Sequence, residues 1–299
     1  MPVRLYFQAR VEDRYRAVRA LLAAWAAEEG DRIAGKTVLV KPNCVSARRE
    51  VASTHAATVR AALEVLAQLR PKRLILGEGS SEDTLQAFRN FGYLPWAEAF
   101  GAEVLDLNAD ECVWREIYDA QGNPIPVRVA KTALESFRVS LALPKTHDYV
   151  IVTLGIKNLV MGAIPKPDKP KVHQGYPAMN WNLALLAREL APQLTVIDGV
   201  VGMEGAGPVG GDPVPHRFVL VGSDPVAVDA AAATLMGFPP EGIGYLVHCA
   251  RWGLGALSPT AWEVVGDPLA EAVRPYRPHP TYAEQKRWQL GGTAWAGKI

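Results

Sequence analysis

Cysteine is scarce in this chain. Cys44, Cys112 and Cys249 are the three among 299 residues, far apart and never in a Cys-x-x-Cys pair. That argues against a disulfide scaffold, a zinc knuckle and an iron–sulfur cluster ligated by this chain alone. An excess of one charge is lacking too. The 32 basic and 31 acidic side chains leave a formal net charge of +1, whereas a general nucleic-acid binder carries a strong basic excess. No run approaches the ~20 apolar residues of a membrane span. The first residues, MPVRLYFQARVEDRYRAV, hold no continuous apolar segment of a secretory signal. H-E-x-x-H, P-loop and G-x-S-x-G motifs are absent. The expectation is a cytoplasmic protein in a reducing compartment, with no nucleic-acid and no membrane partner.

Apolar residues make up 49% of the chain, enough for a substantial core. Short Leu- and Val-rich runs alternate with helical patterns. TVLV (37–40), RLIL (73–76), EVLDL (103–107), RVSLAL (138–143), LTVIDGVV (194–201) and RFVLVG (217–222) read as strands. THAATVRAALEVLAQL (54–69) and MNWNLALLAREL (179–190) read as helices, the first with Ser53 or Thr54 as N-cap. DPVAVDAAAATLMG has Pro225 in its first turn and Gly237 past its end, the asymmetry expected of a helix. VWREIYDAQGNPIPVRV reads as a β-hairpin turning at 121–124. Helices between strands imply parallel pairing. The predicted fold is α/β: an open, mainly parallel sheet with helices on both faces, plus a β-hairpin insertion. Residues 1–266 form one domain, and 267–299 form a Pro- and aromatic-rich tail that wraps this domain or a neighbouring subunit, making a homodimer plausible.

Polar residues gather where the strands end. Lys41 and Asn43 follow the first of these strands, and Gly77-Glu78-Gly79-Ser80 follows the second. Lys145-Thr146-His147 follows RVSLAL, Asp198 and Glu204 follow LTVI, and Gly222-Ser223-Asp224 follows RFVLV. Ligands of open α/β sheets bind at the carboxyl ends of strands. Lys157 and Asn158 sit within YVIVTLGIKNLVMGAI, which is too apolar for a surface loop. A desolvated lysine there binds an anion, acts as a base or forms a Schiff base; the alternative is a buried ion pair with Glu78, Asp198 or Glu204. His55 opens a helix, where backbone N–H groups favour anions. IPKPDKPKVHQG (164–175), with Lys166, Lys169, Lys171 and His173, reads as a mobile basic lid. Gly205 to Gly210 match G-x-G-x-x-G, but Pro208 and Pro213 leave no helix to open there, so the nucleotide fingerprint is rejected. Gly205 and Gly207 still suit a close backbone approach to a ligand. Asp224 reads as a helix cap, while Asp229, inside an apolar helix, has no such explanation.

VLVKPN, STHAATVRAALEVL, LILGEGS, LALPKTHDYVIVTLGIKN, MGAIP, VIDGVVGMEGAGPVGG and GSDPVAVDAAAATLMG occur in this order from about residue 38 to 237. Together they resemble the domain-of-unknown-function family 362. Members of that family often carry a ferredoxin-like cysteine module, which implies iron–sulfur or redox associations. These 299 residues contain no such module.

Two functions follow. The first is an enzyme acting on a small anionic metabolite. Lys145, His147, Lys157 and His173 supply its chemistry, and Lys41, Asn43, His55, Asn158, Gly205 and Gly207 hold substrate. The sequence leaves room for a divalent metal on Glu204 and Asp198, with His147 and His173 completing a mixed N/O set suited to Zn, Fe, Ni or Mn. The second is a non-catalytic accessory that binds a redox partner.

Overall fold

A computed structural model describes residues 2–291. The chain opens with β1 (Val3–Gln8), α1 (Arg14–Glu29), β2 (Thr37–Pro42), α2 (Ala56–Gln68) and β3 (Arg73–Glu78). Next come α3 (Thr84–Asn90), α4 (Leu94–Ala99), β4 (Glu103–Asp106), the hairpin strands β5 (Cys112–Tyr118) and β6 (Pro124–Ala130), and α5 (Lys131–Glu135). The middle holds β7 (Phe137–Ala142), β8 (Lys145–His147), β9 (Ile151–Thr153), α6 (Gly155–Gly162), α7 (Lys169–Val172) and α8 (Gly175–Leu190). Then follow β10 (Leu194–Gly199), β11 (Gly202–Glu204), β12 (Asp212–Val214), β13 (Phe218–Gly222), α9 (Pro225–Leu235), α10 (Gly244–Arg251), β14 (Trp262–Gly266) and α11 (Tyr282–Gln285).

Eight strands form the central sheet in the order β14-β1-β13-β10-β7-β2-β3-β4. From β10 to β4 every neighbouring pair is parallel. The mainly parallel α/β architecture expected from sequence is therefore present, and the hairpin turns where expected. Its inner strands are buried on both faces, so they read as continuous apolar runs. Successive side chains still point to opposite sides. Val38, Val40, Leu74, Leu76, Val139 and Leu141 pack into one core with α1, α2, α3 and α4. Leu39, Ile75, Ala142 and Ile197 pack into the other with α6, α8, α9 and α10.

One strand departs from the expectation. β13 is antiparallel to both β10 and β1. Only the short β11 and β12, and no helix, separate β10 from β13, and a parallel return needs a crossover of a dozen or more residues, usually helical. Gly222-Ser223-Asp224 therefore leaves the sheet at the end opposite the other four polar clusters. Ser223 Oγ serves structure there, accepting from Trp25 Nε1 at 2.8 Å and donating to Glu29 at 2.7 Å. Asp224 caps α9, accepting from Ala227 N at 2.8 Å.

Other local readings shift in detail. The N-cap of α2 is His55 rather than Ser53 or Thr54; its Nδ1 accepts from Ala57 N at 3.1 Å. The predicted basic lid folds as short helical turns pinned by buried Asp168, which bonds the Arg128 backbone and guanidinium and pairs with Lys171 at 3.0 Å. A second sheet, β12-β11-β8-β9, covers the carboxyl end of β7. The described part of the tail lies on this same chain, with Tyr276 and Gln285 buried; residues 292–299 lie outside the described ones. Among the described residues no helix is long and apolar enough to cross a membrane.

Candidate functional site

A cavity of about 140 Å³ opens where β2, β3 and the segment after β7 end. Lys41, Asn43 and Cys44 reach it from β2, and Glu78 and Gly79 from β3. His147 and Thr153 come from the small sheet, Lys157, Asn158 and Gly162 from α6, and Lys169 and His173 from the α7 segment.

α6 places two of these residues. It is buried nearly throughout, Gly155, Ile156, Lys157, Asn158, Leu159, Val160 and Gly162 included. Its first N–H groups have no intrahelical acceptor, and Asp229 supplies one. The carboxylate accepts from Gly155 N at 2.8 Å and Ile156 N at 3.0 Å, and from Tyr245 Oη at 3.2 Å. Asp229 is thus a cap delivered from another helix, and burial pushes its pKa up to about 7. Gly162 lets the far end of α6 pass the site closely, since a Cβ there would overlap the Lys41 side chain and approach Glu78.

A continuous polar network runs under the cavity. Lys41 Nζ donates to Glu78 Oε2 at 2.8 Å and to Asn158 Oδ1 at 2.7 Å. Asn43 Nδ2 donates to the same Asn158 oxygen at 2.8 Å. Lys145 Nζ donates to Asn43 Oδ1 at 2.5 Å and to Ala52 O at 2.8 Å. Glu78 also accepts from Cys44 N and Gly79 N. Glu78 therefore belongs to Lys41, while Asp198 pairs with Arg14 at 2.9 Å and Glu204 lies against Arg277. None of the three pairs with Lys157.

Lys157 stands apart. It is 7% exposed, and among the described residues its ammonium has no hydrogen-bond partner. Burial lowers its pKa to about 8, with Lys41 adding to the effect and Asp148 opposing it. Burial likewise lowers Lys145 to about 7, helped by Lys157 and Lys41, and Lys169 to about 7. Lys169 Nζ donates to Met161 O. Four buried or half-buried lysines thus gather at this end of the sheet, with Glu78 paired to Lys41 and Asp148 acting on Lys157 through its charge. Unpaired charge is costly to bury, and the depressed lysine pKa values express that cost.

The histidines are set differently. Tyr149 N donates to His147 Nδ1 at 3.0 Å, although the Asp148 carboxylate also lies 3.1 Å from that nitrogen. A backbone N–H can only donate, and burial, followed by the charge of Lys157, holds His147 well below its ordinary pKa; we therefore assign Nδ1 as the acceptor. His173 Nδ1 lies 2.9 Å from Lys169 O, which can only accept. Burial and Lys157 lower this histidine as well. The His147 loop is clamped by the tail: Gln285 Nε2 donates to His147 O at 2.7 Å, and Gln285 Oε1 accepts from Ile151 N. Ile151 has φ +68°, a left-handed conformation that is a genuine outlier for a β-branched residue.

Among the residues singled out from sequence, Lys41, Asn43, His147, Lys157, Asn158 and His173 meet at this cavity, with Lys145 bonded to Asn43 behind it. His55 and Asp198 instead line a separate cavity of about 230 Å³ with Arg14 and Ser53. Gly205 and Gly207 serve chain packing: a Cβ on Gly205 would press on the Arg277 side chain, and one on Gly207 would overlap Thr146 O. The predicted metal set does not assemble. Among the described residues no group of three or more His, Cys, Asp or Glu side chains is placed to share an ion. Asp198 and Glu204 already neutralise arginines in different places. Glu78, Cys44, Lys169 and Gly162 join the site without having been chosen as site residues. The signal for Glu78 was its place at a strand end between two glycines; Lys169 was hidden among prolines that suggested a loose loop.

Comparison with known proteins agrees with the motif order. The family described as Domain of unknown function (DUF362) matches residues 38–234. A thylakoid-associated protein of Synechocystis is 26% identical over 265 residues, covering 86% of this chain and 76% of the relative. No solved structure matches.

Proposed function

Since this chain belongs to the DUF362 family, whose description leaves the reaction open, we propose its function from the site: an enzyme that binds a small anionic metabolite at the carboxyl ends of β2, β3 and β7. One observation carries this reading. Lys157 is buried against the cavity with no hydrogen-bond partner among the described residues, near Lys41, Lys145 and Lys169, whose positive charges outnumber the carboxylates of Glu78 and Asp148. A carboxylate or phosphate supplies the missing charge and raises the lysines' pKa values by pairing with them. His147 and His173 border the same space and move protons. At about 140 Å³ the cavity is smaller than the ~300–1,000 Å³ of drug-sized pockets, which favours a small metabolite. The free, buried Cys44 and Cys249 suit a reducing cytoplasm.

The test is thermal unfolding in orthophosphate, pyruvate and 2-oxoglutarate, each against chloride at equal ionic strength, for the wild type and Lys157→Met. A ligand at 100 times its Kd stabilises by about 2.7 kcal/mol, a shift of several degrees. At least one of these anions should stabilise the wild type and leave the variant unmoved. Equal shifts in both proteins would sink the assignment.

A further inference from the structure

The two cavity histidines are fixed by their neighbours in opposite tautomers. His147 Nδ1 is occupied as an acceptor by Tyr149 N–H at 3.0 Å, so its proton sits on Nε2. His173 Nδ1 carries its proton, because it donates to Lys169 O at 2.9 Å, so its Nε2 holds a free lone pair. Neither assignment depends on pH while both rings stay neutral, and burial keeps them neutral. Tyr149 also packs edge-on against His173, with ring centroids 5.4 Å apart, so the residue that sets the tautomer of His147 also buttresses the ring of His173. Both rings line the cavity that holds Lys157. The cavity lining therefore offers a hydrogen-bond donor and a base together with Lys157.

We propose that the site enolises small 2-oxo acids, with His173 Nε2 as the base on the carbon next to the carbonyl and His147 Nε2–H as the donor to the carbonyl oxygen. This rests on the anion-binding reading above. The carboxylate pairs with Lys157, the cation that lacks a partner. In the step itself the C3–H bond breaks and its proton goes to His173 Nε2. The electron pair left on C3 forms the C2=C3 double bond, and the carbonyl π pair moves to oxygen. That oxygen is stabilised by the His147 hydrogen bond and by the lysine charges. No oxidant or second reactant is needed, and the reverse step returns a proton to C3. A phosphate ester lacking an acidic C–H would bind without reacting. General base catalysis from a positioned side chain contributes ~10²–10⁴-fold, so the loss of His173 is measurable.

The experiment is proton NMR of pyruvate and of 2-oxoglutarate in D2O with the full chain. It follows loss of the C3–H signals against protein-free controls, while binding is read separately from protein thermal shifts. Wild type should exchange C3 protons for deuterium faster than the controls. His173→Gln should slow exchange by ~100-fold or more with half-saturation changed less than threefold; Lys157→Met should lose saturation itself. Lys157-dependent binding without protein-dependent exchange overturns the enolisation step and leaves anion binding standing. Exchange that survives in His173→Gln overturns the assignment of the base. Failure of both 2-oxo acids to bind overturns the choice of substrate, and if orthophosphate also fails, the anion reading falls with it.

Discussion

Replacing Lys157 with Met should make the protein more stable. Met keeps most of the aliphatic length and removes the ammonium. In the wild type that ammonium has a pKa of about 8 against an ordinary 10.5. At about 1.4 kcal/mol for each tenfold change, the difference amounts to about 3 kcal/mol. The sign follows from proton counts. Between pH 8 and 10.5 the unfolded chain binds more protons at this site than the folded one, so stability rises with pH through that window. Below pH 8 both states are protonated and the full destabilisation is present. Lys157→Met should therefore gain about 2–3 kcal/mol at pH 7, with the gain shrinking towards zero by pH 10.5. Urea unfolding of both proteins at pH 7, 8.5 and 10 measures it; Lys145 and Lys169 add slopes of the same sign to each, smaller in the variant because Lys157 no longer depresses them, so the difference reports Lys157 together with its repulsion of these two. A variant less stable by about 1 kcal/mol or more at pH 7 would mean that the ammonium has a partner worth an ordinary hydrogen bond, and would refute the reasoning.

Lys41 should behave in the opposite way. Lys41→Met strands Glu78 in a buried site, and removal of one partner from a buried pair costs about 3–5 kcal/mol; Lys41→Met with Glu78→Gln should recover much of that in the same urea titration. Gly162→Ala, ordinarily favourable in a helix by roughly 0.5–1 kcal/mol, should here destabilise, because the new methyl collides with Lys41; a raised urea midpoint would contradict the close packing of α6 on the pair. Gln285→Ala removes the acceptor for Ile151 N and the donor to His147 O. It should cost about 1–3 kcal/mol and raise hydrogen exchange at Ile151, with unchanged exchange there arguing that the tail does not hold the loop.

Much of the sheet was legible because strands buried on both faces leave unbroken apolar runs. The polar residues at the ends of β2, β3 and β7 stood out against those runs. Lys157 stood out for the same reason, as a charge inside a helix with no polar face. The direction of β13 was misread because helices were taken to connect all the strands, although the Pro- and Gly-rich segment between β10 and β13 has no room for one. β1, α1 and β14 carry weaker patterns and went unassigned. Asp229 is a different case. Its role as the cap of α6 comes from a helix some seventy residues later, and no local pattern reveals such a contact. The same holds for the division of carboxylates. Asp198, Glu204 and Glu78 all stand at the ends of strands, and only the packing shows that Arg14, Arg277 and Lys41 each take one, leaving Lys157 without a hydrogen-bonded carboxylate among the described residues.

The most direct measurement is isothermal titration calorimetry of orthophosphate and 2-oxoglutarate into wild type and Lys157→Met at pH 8, in two buffers of different ionisation enthalpy. Lys145, Lys157 and Lys169 are partly deprotonated there in the free protein, and a bound anion raises their pKa values. The prediction is saturable binding of at least one anion to the wild type with net proton uptake from the buffer, and none to the variant. Equal binding to both proteins, or binding without proton uptake, would contradict an anion site built around Lys157.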